Sequence, residues 1–168
     1  YTCAGKSTLF NKLTKSNVVE STKAFSTLNP TTRKTYLSED TQILLSDTVG
    51  FITDLPKDLI SSFRATLEEI GQSDVLIHVV DVNDNNYEEK ISSVENTLDI
   101  AGLQYSKKII VFNKIDLIQI DKKEILKKMF PKQCISSYTS EGLSDLKKYI
   151  DQEIKEIGFY SEKISVSQ

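Results

Sequence analysis

An α/β domain in three layers, built on a mostly parallel sheet, is the fold class this sequence predicts. Three observations predict it. The runs "VLIHVVDV" at 75–82 and "KIIVFNK" at 108–114 are almost continuously apolar, as expected of strands covered on both faces. Stretches with helical periodicity separate the strand-like runs, as crossover connections between parallel strands require. The length, 168 residues, matches one ordinary domain able to bury a full core.

Each element has its own signal. "STLFNKLT" at 7–14 starts a helix with Leu9, Phe10 and Leu13 facing inward. "KTYLSED" at 34–40 and "TQILLSD" at 41–47 read as two strands joined by a tight turn. Pro56 suits the first turn of a helix whose stripe is Leu59, Phe63, Leu67 and Ile70, with Gly71 placed to end it. "YEEKISSVENTLDIAG" at 87–102 forms a helix with Ile91, Val94, Leu98 and Ala101 inward and Gly102 as its stop. "KEILKKMF" at 123–130 is a short helix and "QCISS" at 133–137 a short strand. The last helix carries Leu143, Leu146, Ile150 and Ile154, and Gly158 is expected to end it. Residues 159–168 show no core pattern, and there is no internal repeat.

Charge and cysteine usage exclude several function classes. A net charge of −3 gives no global attraction to nucleic acid. The local basic patch Lys122–Lys132 reads as the solvated face of a short helix. Two cysteines, Cys3 and Cys134, are too few for a disulfide framework, so a reducing cytoplasm is the expected setting. No run reaches the length and apolarity of a membrane span.

Chemistry concentrates at the expected strand ends. "YTCAGKST", Tyr1–Thr8, matches most of the phosphate-loop pattern G-x-x-x-x-G-K-[ST], whose first glycine falls one residue before Tyr1. A glycine-rich turn entering a helix aims several N–H groups at one point, and the helix dipole adds positive potential there. In that cradle of Tyr1, Thr2, Cys3, Ala4, Gly5, Lys6, Ser7 and Thr8, Lys6 reaches the β- and γ-phosphates. The Ser7 hydroxyl ligates Mg²⁺, and Thr8 lies beside the α-phosphate. "DTVG" (Asp47, Thr48, Val49, Gly50) follows the strand "ILL". Asp47 could hold Mg²⁺ through a water, and the bare Gly50 N–H could approach the γ-phosphate. Taken alone, those residues are a strand-ending turn.

"NKID" (Asn113, Lys114, Ile115, Asp116) follows another strand. One carboxylate can accept from both N1–H and the exocyclic amine of guanine, a donor pair adenine lacks, so Asp116 is expected to select GTP over ATP. Asn113 braces the loop and the Lys114 stem covers the base. In "ISSY", Ile135–Tyr138, the N–H groups around Ser136, Ser137 and Tyr138 could meet guanine O6. Four such segments in this order, each at a strand mouth, point to a guanine nucleotide, because ligands of open α/β sheets bind at the carboxyl ends of strands.

The intervening residues narrow the family. "YTCAGKSTLFNKLT", "FSTLNPTTRK", "DTVGFITDLPKDLISSFRATLEEI" and "LIHVVDVND" resemble the G domain of the HflX GTPases, from Tyr1 to about Ile157. The resemblance implies the P-loop NTPase sandwich, mostly parallel with one antiparallel strand, and GTP hydrolysis with Mg²⁺ on the large ribosomal subunit. It assigns residues 1–157 to the G domain and 158–168 to a tail, and it favours a monomer. It makes Phe25, Ser26, Thr27, Leu28 and Asn29 the first switch segment, with Thr27 as a second Mg²⁺ ligand. The residues themselves do not choose Thr27 over Thr31 or Thr32, and Val18–Thr35 otherwise reads as a polar loop.

The resemblance also implies a first strand ahead of the phosphate loop, between the "TQILLSD" and "VLIHVVDV" strands. The expectation is a piece of a longer protein that lacks this strand and the first loop glycine, folds marginally and binds GTP weakly. Burying three or four apolar side chains fewer costs on the order of 5–10 kcal/mol. A whole domain is stable by only about 5–15 kcal/mol.

Two departures bear on chemistry. Cys3 stands where the family usually has asparagine, and a thiol is a poor ligand for K⁺. Phe51 stands where Ras-like enzymes place a water-orienting glutamine, so slow intrinsic hydrolysis is expected, with the catalytic group unknown. A nucleotide-binding module with negligible turnover, or an inactive fragment, is the alternative. His78 reads as a structural residue of a buried strand in preference to a general base, and Asp81 and Asp84, which could approach the site, read in preference as turn or helix-cap residues.

Overall fold

The computed structural model describes residues 4–14, 31–47, 73–100 and 105–165. In chain order the elements are α1 (Lys6–Thr14), β1 (Thr31–Tyr36), β2 (Gln42–Asp47) and β3 (Val75–Asp81), then α2 (Tyr87–Ile100), β4 (Lys107–Asn113), α3 (Ile120–Met129) and α4 (Leu143–Ser165). The expected helix at Pro56–Gly71 and the stop at Ala101–Gly102 lie outside the described residues.

β1 and β2 pair antiparallel, from Thr31 opposite Asp47 to Tyr36 opposite Gln42. The Leu37 N–H closes their turn on the Thr41 carbonyl at 3.0 Å. β3 and β4 pair in parallel, from Val75 opposite Lys107 to Asp81 opposite Asn113. α2 supplies the crossover between them, as parallel strands require.

Strand periodicity separates the layers. Val79, Ile109 and Val111 face one way, into a core with Leu9 and Leu13 of α1 and Leu143, Leu146 and Ile150 of α4. Ile110 and Phe112, one residue out of phase, face a second core with Leu126 of α3 and Tyr87 and Ile91 of α2. Successive side chains of a strand point to opposite faces, so one apolar run feeds both cores. Phe112 anchors the second, with the Phe130 ring 4.6 Å and the Tyr87 ring 6.5 Å away.

The two sheets stay separate among the described residues. An apolar cleft of about 770 Å³ lies between β2 and β3, floored by Leu9, Phe10 and Leu13 of α1 and by Ile150 and Ile154 of α4. This is the place where the resemblance puts a further strand. The cleft explains why Val75, Leu76 and Ile77 are only half-buried, although their sequence reads as a fully covered strand.

Several boundaries differ from the sequence reading: α3 begins at Ile120, ahead of the expected Lys123, and β1 ends at Tyr36, short of the expected Asp40. "QCISS" forms no strand, only one parallel bridge between Cys134 and Phe112. The pairing with β4 is one residue long: Phe112 N–H bonds the Gln133 carbonyl and Ile135 N–H bonds the Phe112 carbonyl, after which Ser136 N–H turns to the Glu141 carbonyl in its own loop. Gly158 does not end the last helix, which continues to Ser165. A β-carbon at Gly158 would meet nothing within 4 Å. The polar stretch at 18–35 is not all loop, because Thr31 already belongs to β1, where β-branched threonines suit a pleated surface.

The basic patch on α3 is largely committed internally. Lys123 and Lys127 both hold Glu141, Lys122 donates to the Val82 carbonyl, and Lys132 donates to Gln152. Among the described residues no helix is long and apolar enough to cross a membrane.

Candidate nucleotide-binding site

The site forms where α1 begins and where β2, β3 and β4 end. Gly5 adopts φ +84, a conformation that side chains resist, and it turns the chain into α1. Its carbonyl accepts the Leu9 N–H at 2.9 Å, the first bond of the helix. The N–H groups of the first turn have no partner within a helix, so those of Lys6, Ser7 and Thr8 point outward as a cradle for an anion.

Asp47 closes this end from β2. It is 2% exposed. Lys6 pairs with its Oδ1, and the Ser7 hydroxyl donates to its Oδ2 at 3.0 Å. A buried carboxylate needs such company, since leaving one uncompensated is strongly unfavourable. The arrangement puts one cation, one hydroxyl and one carboxylate at the mouth of the cradle.

Asn113 ties the cradle to the opposite end of the site. Its amide donates to the Ala4 carbonyl at 2.8 Å. Its side-chain oxygen accepts the Ser137 N–H at 2.9 Å and the Ser137 hydroxyl at 2.7 Å. All three segments are therefore clasped by one side chain, itself 1% exposed. The fit leaves no slack, as a β-carbon on Gly5 would sit 2.4 Å from Asn113 Nδ2.

Beyond Asn113 the chain turns sharply. Lys114 has φ +67, and its carbonyl accepts the Leu117 N–H at 3.0 Å. Ile115 is fully buried and its N–H bonds the Ile135 carbonyl, which leaves Asp116 exposed on the outside of the turn. Ser136 and Ser137 are buried beside it, and Tyr138 is 85% exposed. The Thr139 N–H donates to Ser136 Oγ at 3.0 Å, which shapes the loop from within.

The described members of the candidate set, Ala4 to Thr8, Asp47, Asn113 to Asp116 and Ser136 to Tyr138, thus lie at the start of α1, at the ends of β2 and β4 and in the loops beyond β4, with Ala4, Asn113 and Ser137 linked directly and Lys6 and Ser7 linked to Asp47. Tyr1, Thr2, Cys3, Phe25 to Asn29, Thr48, Val49, Gly50 and Phe51 lie outside the described residues. Of the three candidate switch threonines, Thr32 is already committed, with its hydroxyl 2.7 Å from Ser46 Oγ. His78 and Cys134 are bystanders. Burial and the charge of Lys108 lower the His78 pKa to about 4, and burial raises the Cys134 thiol to about 11. Neither is charged at neutral pH.

Of two further participants, Asp81 is by sequence a turn residue and does accept the Asn83 N–H, but it also reaches the site, while Glu141 escapes the sequence reading. Asp81 pairs with Lys114, Nζ to Oδ2 at 2.6 Å. Glu141 moors the 136–141 loop to α3 through Lys123 and Lys127, at 2.8 and 2.7 Å. Asp81 becomes visible only once the β3–β4 register places it opposite Asn113. Glu141 carries no local pattern at all.

Comparison with known proteins gives this geometry its context. A family model described as "50S ribosome-binding GTPase" matches residues 1–114. A GTPase HflX from Magnetococcus marinus is 43% identical over 149 residues, covering 87% of this chain and 34% of its own length. The GTPase HflX of Alkalihalophilus pseudofirmus is 41% identical over 157 residues, 92% of this chain and 36% of its own. The chain therefore spans about a third of the length of these curated relatives. Among solved structures, a complex of SsGBP and GDP superposes with a TM-score of 0.71 at 29% identity, covering 94% of this chain and 48% of that one. Era in complex with MgGDPNP and nucleotides 1506–1542 of 16S ribosomal RNA gives 0.63 at 27%, covering 88% and 52%. The chain belongs to the 50S ribosome-binding GTPase family, as a G domain of the HflX type.

Proposed function

We propose that this domain binds GTP with Mg²⁺ and hydrolyses it to GDP and phosphate, within a protein that works on the large ribosomal subunit in the cytoplasm. The observation that carries the reading is the Asn113 clasp, which joins an anion cradle at one end to an exposed carboxylate turn at the other. A nucleotide needs that pairing of a phosphate end with a base end. The family description and the GDP and MgGDPNP complexes of structural neighbours support the same ligand class.

In this reading the N–H groups of Tyr1–Thr8 and the Lys6 ammonium hold the phosphates. Asp116 accepts from guanine N1–H and the exocyclic amine, the Lys114 stem covers the base, and the Ser136–Tyr138 segment meets O6. Phe25–Asn29 and Thr48–Gly50 sense the γ-phosphate, holding two loops while it is present and releasing them afterwards.

The residues fit the metal. Ser7 Oγ and Asp47 Oδ2 are hard oxygen donors 3.0 Å apart. Mg²⁺ is normally held by few protein oxygens together with phosphates and water. Ser7 and Thr27 would ligate it, with Asp47 acting through water. The bound ion would neutralise charge on the β- and γ-phosphate oxygens.

Phe51 cannot orient water, so hydrolysis by the domain alone is slow. Single-turnover hydrolysis of GTP with and without large ribosomal subunits tests this. Slow release of phosphate, accelerated by the subunits, is expected. Tight GTP binding with no phosphate release under either condition would leave a nucleotide-binding module instead.

A further inference from the structure

We propose that Asp81 is a positioning residue for guanine-nucleotide recognition, acting through Lys114. This rests on the nucleotide reading above and extends it to a residue outside the four motif segments.

Lys114 sits at φ +67, where a residue with a β-carbon pays a conformational penalty unless its surroundings hold it there. The backbone supplies part of the hold: the Lys114 carbonyl accepts the Leu117 N–H, and Ile115 N–H bonds the Ile135 carbonyl. Neither bond fixes the side chain. Lysine has four rotatable bonds, and a stem that must lie flat against a base has to be chosen from many rotamers. Asp81 makes the choice, with its Oδ2 2.6 Å from Lys114 Nζ.

Asp81 is itself rigid. It is the last residue of β3, in register with Asn113, the residue before Lys114. Its other oxygen accepts the Asn83 N–H at 3.0 Å, and the Val82 N–H next to it bonds the Asn113 carbonyl at 3.1 Å. The carboxylate is thus bolted to the strand end beside the clasp. Its partner ammonium is held by a group of the protein itself. Both side chains keep about a quarter of their surface exposed, at 23% and 29%, so the pair borders the site and is not sealed within the core. A ligand therefore meets a lysine already ordered, and less conformational entropy is lost on binding.

The test is a double-mutant cycle in the longer protein that carries this domain, read by displacement of a fluorescent GDP analogue. Asp81→Asn keeps an oxygen for the Asn83 N–H but removes the charge that holds Lys114. It should weaken GDP and GTP equally, by about fivefold, within the range of coupling between residues in contact. In a Lys114→Met background, which keeps a flexible apolar stem, the same Asp81→Asn change should cost less than about twofold. Asp81→Glu, which restores the charge, should recover most of the affinity and covers the case in which Asp81→Asn does not fold. A cost for Asp81→Asn that is the same in both backgrounds would overturn the inference, since a purely structural turn residue behaves that way. No binding of GDP by the unaltered chain would overturn the functional reading as well.

Discussion

Truncating Asn113 to alanine should damage this domain more than any other single change in the described part of the site. The side chain makes three hydrogen bonds, to the Ala4 carbonyl, the Ser137 N–H and the Ser137 hydroxyl. Alanine removes all three and leaves two main-chain groups, the Ala4 C=O and the Ser137 N–H, buried without a partner. Each such orphan costs about 1–3 kcal/mol, so the pair costs about 2–6 kcal/mol. The Ser137 hydroxyl can rotate to another acceptor and adds little. A domain of this size is stable by about 5–15 kcal/mol, so the loss is a large fraction of the total. Urea unfolding followed by circular dichroism measures it. With a slope of about 2 kcal/mol/M, a loss of about 4 kcal/mol lowers the midpoint by about 2 M. Ser137→Ala is the internal control, since it removes only the hydroxyl bond and should cost about 1 kcal/mol. An Asn113→Ala variant that unfolds within about 0.5 kcal/mol of the unaltered chain, the range of an ordinary surface change, would refute the clasp.

Four further outcomes follow from the same geometry. Gly5→Ala places a methyl 2.4 Å from Asn113 Nδ2 on a backbone at φ +84, so GDP affinity measured by calorimetry should fall with stability. Lys6→Ala strips the buried Asp47 of its cation, and thermal melts should show a loss that Asp47→Ala in the same chain partly restores. His78 has a folded pKa of about 4, below its ordinary 6.5, because burial disfavours the charged ring. The unfolded chain then binds the extra proton first. Stability should be complete above about pH 6.5 and fall toward pH 4, by up to about 3 kcal/mol, and His78→Leu should flatten that slope in unfolding curves. Glu141→Gln releases two partly exposed lysines, so it should cost no more than about 1 kcal/mol while hydrogen exchange at Ser136–Tyr138 speeds up.

Much of this fold was legible in the sequence because local pattern and global packing agree. Leu9, Phe10 and Leu13 are buried as helical spacing requires, and the runs at β3 and β4 are strands whose alternate residues feed two cores. The misreadings share a cause. "QCISS" has strand composition and does pair with β4 at Phe112, but Ser136 N–H already turns away to the Glu141 carbonyl, and composition does not reveal how long a backbone stays beside its partner strand. Glycine at 158 stops a helix only where nothing favours continuing, and intrinsic propensity is a weak prior there. In the site, motif spacing pointed to Gly5, Lys6, Ser7, Asp47 and Asn113, because phosphate and base chemistry constrain residue type at short range. Asp81 and Glu141 act on those residues from a neighbouring strand and along a loop, and only strand register and loop path bring them there.

The most direct measurement is competition between nucleotides for the unaltered chain and for Asp116→Asn, with fluorescent GDP displaced by GTP or by ATP. The carboxylate at 116 recognises a donor pair that adenine lacks, so GTP should compete at least about a thousandfold better than ATP, and Asp116→Asn should abolish most of that preference. Equal competition by ATP, or a GTP preference that survives the loss of the Asp116 carboxylate, would contradict a guanine site at this end of the sheet.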